Sequence, residues 1–150
     1  MTRRAGLATQ DLLVAARSGY GWLLASAPRR MLDVGTPQPP GPRAATMTRV
    51  LGARHLLQAM ATAWAEAAGL PAVPVLLAGA AVDATHAASM LGFAVISRPL
   101  RHAALADALL ETGFGACGVT AAWRLARALD RAANGGFVGG DAGLATVHYE

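Results

Sequence analysis

The chain of 150 residues contains no lysine; all 13 of its cationic side chains are arginines. A phosphate-cradling P-loop is therefore excluded, because its lysine is missing. Cys117 is the single cysteine. It can form no intrachain disulfide and belongs to no paired-cysteine zinc motif. It sits in an apolar, glycine-rich stretch, where a small buried hydrophobe is the expected role. Charged residues make up only 15% of the chain, against roughly a quarter in ordinary soluble domains. So few charges coat a soluble surface poorly. Ser89 lacks a GxSxG setting, Cys117 has no histidine near it in sequence, and no Rossmann glycine pattern follows a plausible strand. The N-terminal region has no uninterrupted apolar run of the signal-peptide type, since Gln10, Asp11 and Arg17 break it. Membrane insertion would then be directed by internal segments.

What is present is apolar sequence in long blocks. Hydrophobic residues account for 54% of the chain, and the mean hydropathy is +0.37. The net charge of +4 comes from arginines at the ends of these blocks. They form no stripe interleaved with aromatics, so nucleic acid is not an expected partner. Arginines at segment ends suit anionic lipid headgroups.

Four blocks read as helices. The first runs over residues 7–27 and either spans a membrane at a tilt or lies in its interface, with Tyr20 and Trp22 at headgroup level. Pro28, Arg29 and Arg30 close it. Residues 33–46, with Pro37, Pro39, Pro40 and Pro42, read as a proline-rich loop. The second helix is expected over 47–69, capped by Thr48. A short uncharged turn from Gly69 to Pro74 leads to the third, Val75 to Ile96. Ser97 to His102 form a second basic connection. The fourth runs from Ala103 to about Ala128, where Gly113, Gly115 and Gly118 permit close helix contact. Residues 1–131 thus read as one helical membrane domain and 132–150 as a glycine-rich, flexible tail. The expected fold is an all-α antiparallel bundle of four hydrophobic, transmembrane helices. By the positive-inside rule both basic connections face the cytoplasm, which puts the C-terminus outside; Arg124, Arg127 and Arg131 oppose that placement.

Several polar residues interrupt these blocks. Arg54, His55 and Gln58 lie in the second helix. Asp83 and His86, three apart and so on one face, lie in the third, and Glu111 lies in the fourth. A hairpin about the Gly69–Pro74 turn sets Arg54, His55 and Gln58 within about one helical turn of the depth of Asp83 and His86. An arginine or aspartate at mid-membrane costs roughly 2.5–3.5 kcal/mol, so each needs a partner. The expected arrangement is an interhelical cluster built on an Arg54–Asp83 ion pair. Its first role is to hold the helices together. The alternatives are a site for proton, metal or lipid chemistry, or recognition of a headgroup or partner. No ligand spacing specifies a metal, and no cofactor or catalytic residue is assigned.

Three stretches carry a resemblance: Gly21-Trp-Leu-Leu24 with Ala27-Pro-Arg-Arg30, Arg49-Val-Leu-Gly-Ala-Arg-His-Leu-Leu-Gln58, and Ala81-Val-Asp-Ala-Thr-His-Ala-Ala-Ser-Met90. Together they resemble a family of small actinobacterial, mycobacterial-type multi-helix membrane proteins of largely unknown function. The resemblance spans about residues 20–125. It implies a multi-pass plasma-membrane protein with membrane lipids around it, and no assigned activity. The functional expectation is a non-enzymatic structural or accessory subunit, within a larger membrane complex or a homo-oligomer. Two other readings stand beside it: a membrane enzyme or transport component, and a soluble helical interaction domain.

Overall fold

The structure, a computed structural model, describes residues 2–33 and 41–135. All of its regular elements are helices: α1 (Thr2–Ser26), α2 (Pro28–Asp33), α3 (Pro42–Ala67), α4 (Ala72–Ile96) and α5 (Arg101–Gly135). The expected helical fold holds, with one helix more than expected and longer helices throughout.

The differences lie at prolines. The first helical block ends at Ser26, just before Pro28 as expected, and Pro28 then opens the short α2. Pro42 opens α3, with the extended Gly41 before it. Proline suits the first helical turn, whose N–H groups have no intrahelical partner in any case. Residues 42–46 of the expected loop are therefore helical. Thr48 lies inside the helix, its hydroxyl donating to the Ala44 carbonyl at 3.0 Å rather than capping an end. Pro74 likewise falls in the first turn of α4. Helix α5 runs seven residues past Ala128, since nothing before Gly135 breaks it. Residues 34–40 of the loop and 136–150 of the tail lie outside the described residues.

The α3–α4 turn is a Schellman motif. Gly69 takes a left-handed conformation (φ 65°), its N–H bonds the Glu66 carbonyl at 3.1 Å, and the Leu70 N–H bonds that of Ala65 at 2.8 Å.

The long helices run up and down, but chain neighbours are not always the closest pairs. Helix α4 packs chiefly on α5 and α1 chiefly on α3; α1 also packs on α5, whereas α3 and α4 meet only lightly. The expected tight α3–α4 hairpin is thus corrected. The tight seams are decided by small residues. A Cβ on Gly52 would lie 2.6 Å from the Gly21 carbonyl oxygen, and one on Gly21 would lie 2.8 Å from that of Gly52. The α1 and α3 backbones therefore touch. On α5, Gly115 and Gly118 receive Ala80 and the Leu76 carbonyl in the same way, whereas Gly113 faces open space.

Inward positions recur every three or four residues: Gln10, Leu13, Arg17, Gly21 and Leu24 on α1, and Thr48, Gly52, His55, Ala59 and Thr62 on α3. Apart from Leu13 and Leu24, these positions hold small and polar residues. The largest fully buried side chains are Arg17, Leu76, His55, Glu111, Thr62 and Asp83. Many large apolar side chains point outward, among them Leu12, Trp22, Met47, Leu57, Met60, Trp64, Val95, Ile96 and Leu109. An apolar knot of Leu13, Leu76, Ala121 and Ala122, flanked by Val73 and Phe114, closes one part of the interior.

Helix α4 is long and apolar enough to cross a membrane, with a mean hydropathy of 1.3. Among the described helices it alone passes that measure. Charged and small residues dilute α1, α3 and α5.

Candidate functional site: a buried ionic network

The four long helices converge on one polar network. From α1, the Arg17 side chain crosses over Gly79, where a Cβ would stand 3.0 Å from its Nη1. It pairs with Asp83 on α4, both groups being fully buried. The absent side chain at Gly79 is what leaves the guanidinium room. From α3, Gln58 donates its Nε2 to the Gly79 carbonyl at 3.2 Å and to Asp83 Oδ1 at 3.1 Å. Asp83 thus takes charge from Arg17 and a hydrogen bond from Gln58.

One turn away, Glu111 of α5 pairs with Arg54. It also accepts from His55 at 2.9 Å. A carboxylate can only accept, so His55 Nε2 carries the proton. The His55 ring is held between Tyr20, centroids 5.1 Å apart, and Phe114 at 5.2 Å. Arg54 bridges the two carboxylates, lying 3.6 Å from Asp83 Oδ1. Its closer partner is Glu111, and that of Asp83 is Arg17. The expected Arg54–Asp83 pair is therefore the long edge of a larger network.

His86 stands at one side. Its Nε2 donates to Asp107 Oδ2 at 2.8 Å, and the Tyr20 hydroxyl donates to Asp107 Oδ1 at 3.1 Å. His86 and Asp107 are partly exposed. Between α3 and α4, which meet only lightly, a groove lined by Arg54, Ala81, Val82, Thr85, His86 and Ser89 opens toward this node.

Arg54, His55, Gln58, Asp83 and Glu111 are thus brought together, with His86 joined to a neighbouring node. Sequence reasoning did not single out Arg17, Tyr20 or Asp107. Arg17 had the same signal as Arg54, a charge inside an apolar block. Asp107 lies four residues before Glu111 and so on its face. Tyr20, expected at a membrane interface, turns inward, because its hydroxyl finds a carboxylate there. Cys117, expected to be buried, is exposed on α5, on the far side from the Gly115–Gly118 seam.

Breaking a buried pair by removing one partner costs about 3–5 kcal/mol, because the other charge is left uncompensated. The network is not saturated. His55 Nδ1, Glu111 Oε2, Gln58 Oε1 and the Nε atoms of Arg17 and Arg54 are buried without a hydrogen-bond partner among the described residues. The acceptors among them, His55 Nδ1, Glu111 Oε2 and Gln58 Oε1, leave the network capacity for a further donor or cation. Compared with protein-family models, curated proteins and solved structures, the chain has no match.

Proposed function

We propose that the protein is a multi-span membrane protein, embedded through α1, α3, α4 and α5, whose ionic network locks the four helices into one body. It serves as a structural or accessory subunit rather than as an enzyme. The observation that carries this reading is the inverted polarity of the bundle: Arg17, His55, Asp83 and Glu111 inside, tryptophan, leucine and methionine outside. In water such an arrangement gives up the hydrophobic driving force. In a bilayer it is the stable one, because charges must face protein and apolar side chains face lipid. Hydropathy alone supports α4 as a span; for the other long helices the support is their outward faces. Helix α5, at 35 residues, extends roughly 50 Å and would project beyond the hydrocarbon. Its last turns fit that placement, with Arg127 stacked 4.0 Å over the Trp123 ring.

Fractionation of cells expressing the full chain tests it. Recovery with the membranes after alkaline carbonate washing is expected, with release only by detergent. Recovery in the soluble fraction without detergent would overturn the proposal in favour of a soluble interaction domain.

A further inference from the structure

Two sets of side chains each bring three metal-ligating atoms within 4.8 Å of one another: His55, Asp83 and Glu111, and His86, Asp107 and Glu111. The first set is closed. Its carboxylates already hold Arg17 and Arg54, and all three residues are fully buried. An ion could enter only by displacing a guanidinium.

The second set differs in three respects. Asp107 meets no arginine among the described residues, only the neutral Tyr20 hydroxyl and His86. Glu111 is fully buried and keeps Oε2 without a partner. The α3–α4 groove reaches His86 from outside. The charges of the network point the same way. Asp83, Asp107 and Glu111 are set against Arg17 and Arg54, so one carboxylate has no permanent cation.

We propose that His86, Asp107 and Glu111 bind a first-row transition-metal dication, with an open coordination position toward the groove. One imidazole and two carboxylates suit an ion of the zinc or manganese class. Three protein ligands leave a fourth position for water or an exogenous ligand from the groove. A tetrahedral ion at about 2.1 Å from each ligand sets ligand atoms about 3.4 Å apart. The His86–Asp107 separation of 2.8 Å opens slightly to admit it, and the Glu111 oxygen closes in. Metal binding at His86 Nε2 moves the ring proton from that atom to Nδ1, and the Asp107 oxygen that accepted it turns to the ion. Arg54 also lines the groove, but Glu111 Oε1 and Asp83 offset its charge. The site does not depend on a bilayer, so its failure would leave the membrane proposal standing.

The test uses the purified full-length chain, stripped with a chelator and titrated with Co²⁺ and then Zn²⁺. One Co²⁺ per chain is expected, displaced by Zn²⁺. His86→Gln and Asp107→Asn conserve side-chain size and should each weaken binding at least about tenfold. Asp130→Asn, which alters an exposed carboxylate of α5 outside the network, should keep it. Zinc-edge absorption on the unaltered chain provides a readout free of variants: one imidazole with oxygen ligands and no sulfur is expected. The proposal is overturned if the folded chain binds neither ion at millimolar concentration. It is equally overturned if His86→Gln and Asp107→Asn bind as tightly as the unaltered chain, or if the absorption edge reports sulfur or two imidazoles.

Discussion

Asp83 and Asp107 face the same interior, and α1 reaches toward both. To Asp83 it brings a guanidinium, from Arg17; to Asp107 it brings a phenol, from Tyr20. The difference follows depth of burial. Asp83 is sealed, and a sealed carboxylate needs a permanent cation. Asp107 stands beside a groove and is served by a hydroxyl and an imidazole, groups that can exchange a proton. The sealed node fixes the helices, whereas the open one keeps chemical latitude. Arg17 and Tyr20 lie three residues apart on one face of α1, so a single helix couples the two nodes.

The sharpest way to break the comparison is Arg17→Leu. It strips Asp83 of its main countercharge while leaving Asp107 untouched. A loss of about 3–5 kcal/mol is expected, read by denaturant unfolding followed by helical circular dichroism. The double variant Arg17→Leu, Asp83→Leu should regain most of it, since the uncompensated charge is gone. If the double variant is as unstable as the single one, the pair does not carry the stability assigned to it.

A smaller effect is expected where α1 rests on α3. Gly52→Ala would place a methyl 2.6 Å from the Gly21 carbonyl oxygen and 2.7 Å from the Ala25 nitrogen. Both are backbone atoms, so a helix must shift. A cost of about 1–3 kcal/mol is expected. Because α1 carries Arg17 and Tyr20, the displacement reaches both nodes, and the effect should not add to that of Arg17→Leu. Strict additivity would show that the Gly21–Gly52 seam and the ionic network are independent.

The same residues show how far the sequence could be read. Polar groups inside apolar blocks announce themselves through their cost, and that logic found Arg54, His55, Gln58, Asp83, His86 and Glu111. It also applied to Arg17, which was hidden because α1 was read as an interrupted segment. Helix existence was legible from apolar length. Helix starts were not, because Pro28, Pro42 and Pro74 resemble stops in sequence and serve as first-turn residues in the structure. The α3–α4 turn is short enough to give antiparallel order, yet turn length does not say which faces meet. That is decided by where glycines let backbones approach, and Gly21 and Gly52 recognise each other only once both helices exist. The Arg54–Asp83 pair is present at 3.6 Å, but each residue has a closer partner, from α5 and α1, that a hairpin of α3 and α4 alone does not reveal.

The smallest expected effect is at the open node. Asp107→Asn keeps an oxygen for the Tyr20 hydroxyl, and the new amide can donate to His86 once that ring shifts its proton to Nδ1. Both hydrogen bonds survive in changed polarity, so about 1 kcal/mol or less should be lost, well below the effect of Arg17→Leu. The asymmetry is what distinguishes a carboxylate held for stability from one that is replaceable at little cost. Unfolding of Asp107→Asn alongside Arg17→Leu under one set of conditions measures it directly. Equal losses would mean that Asp107 is as sealed as Asp83 and that the groove does not reach it.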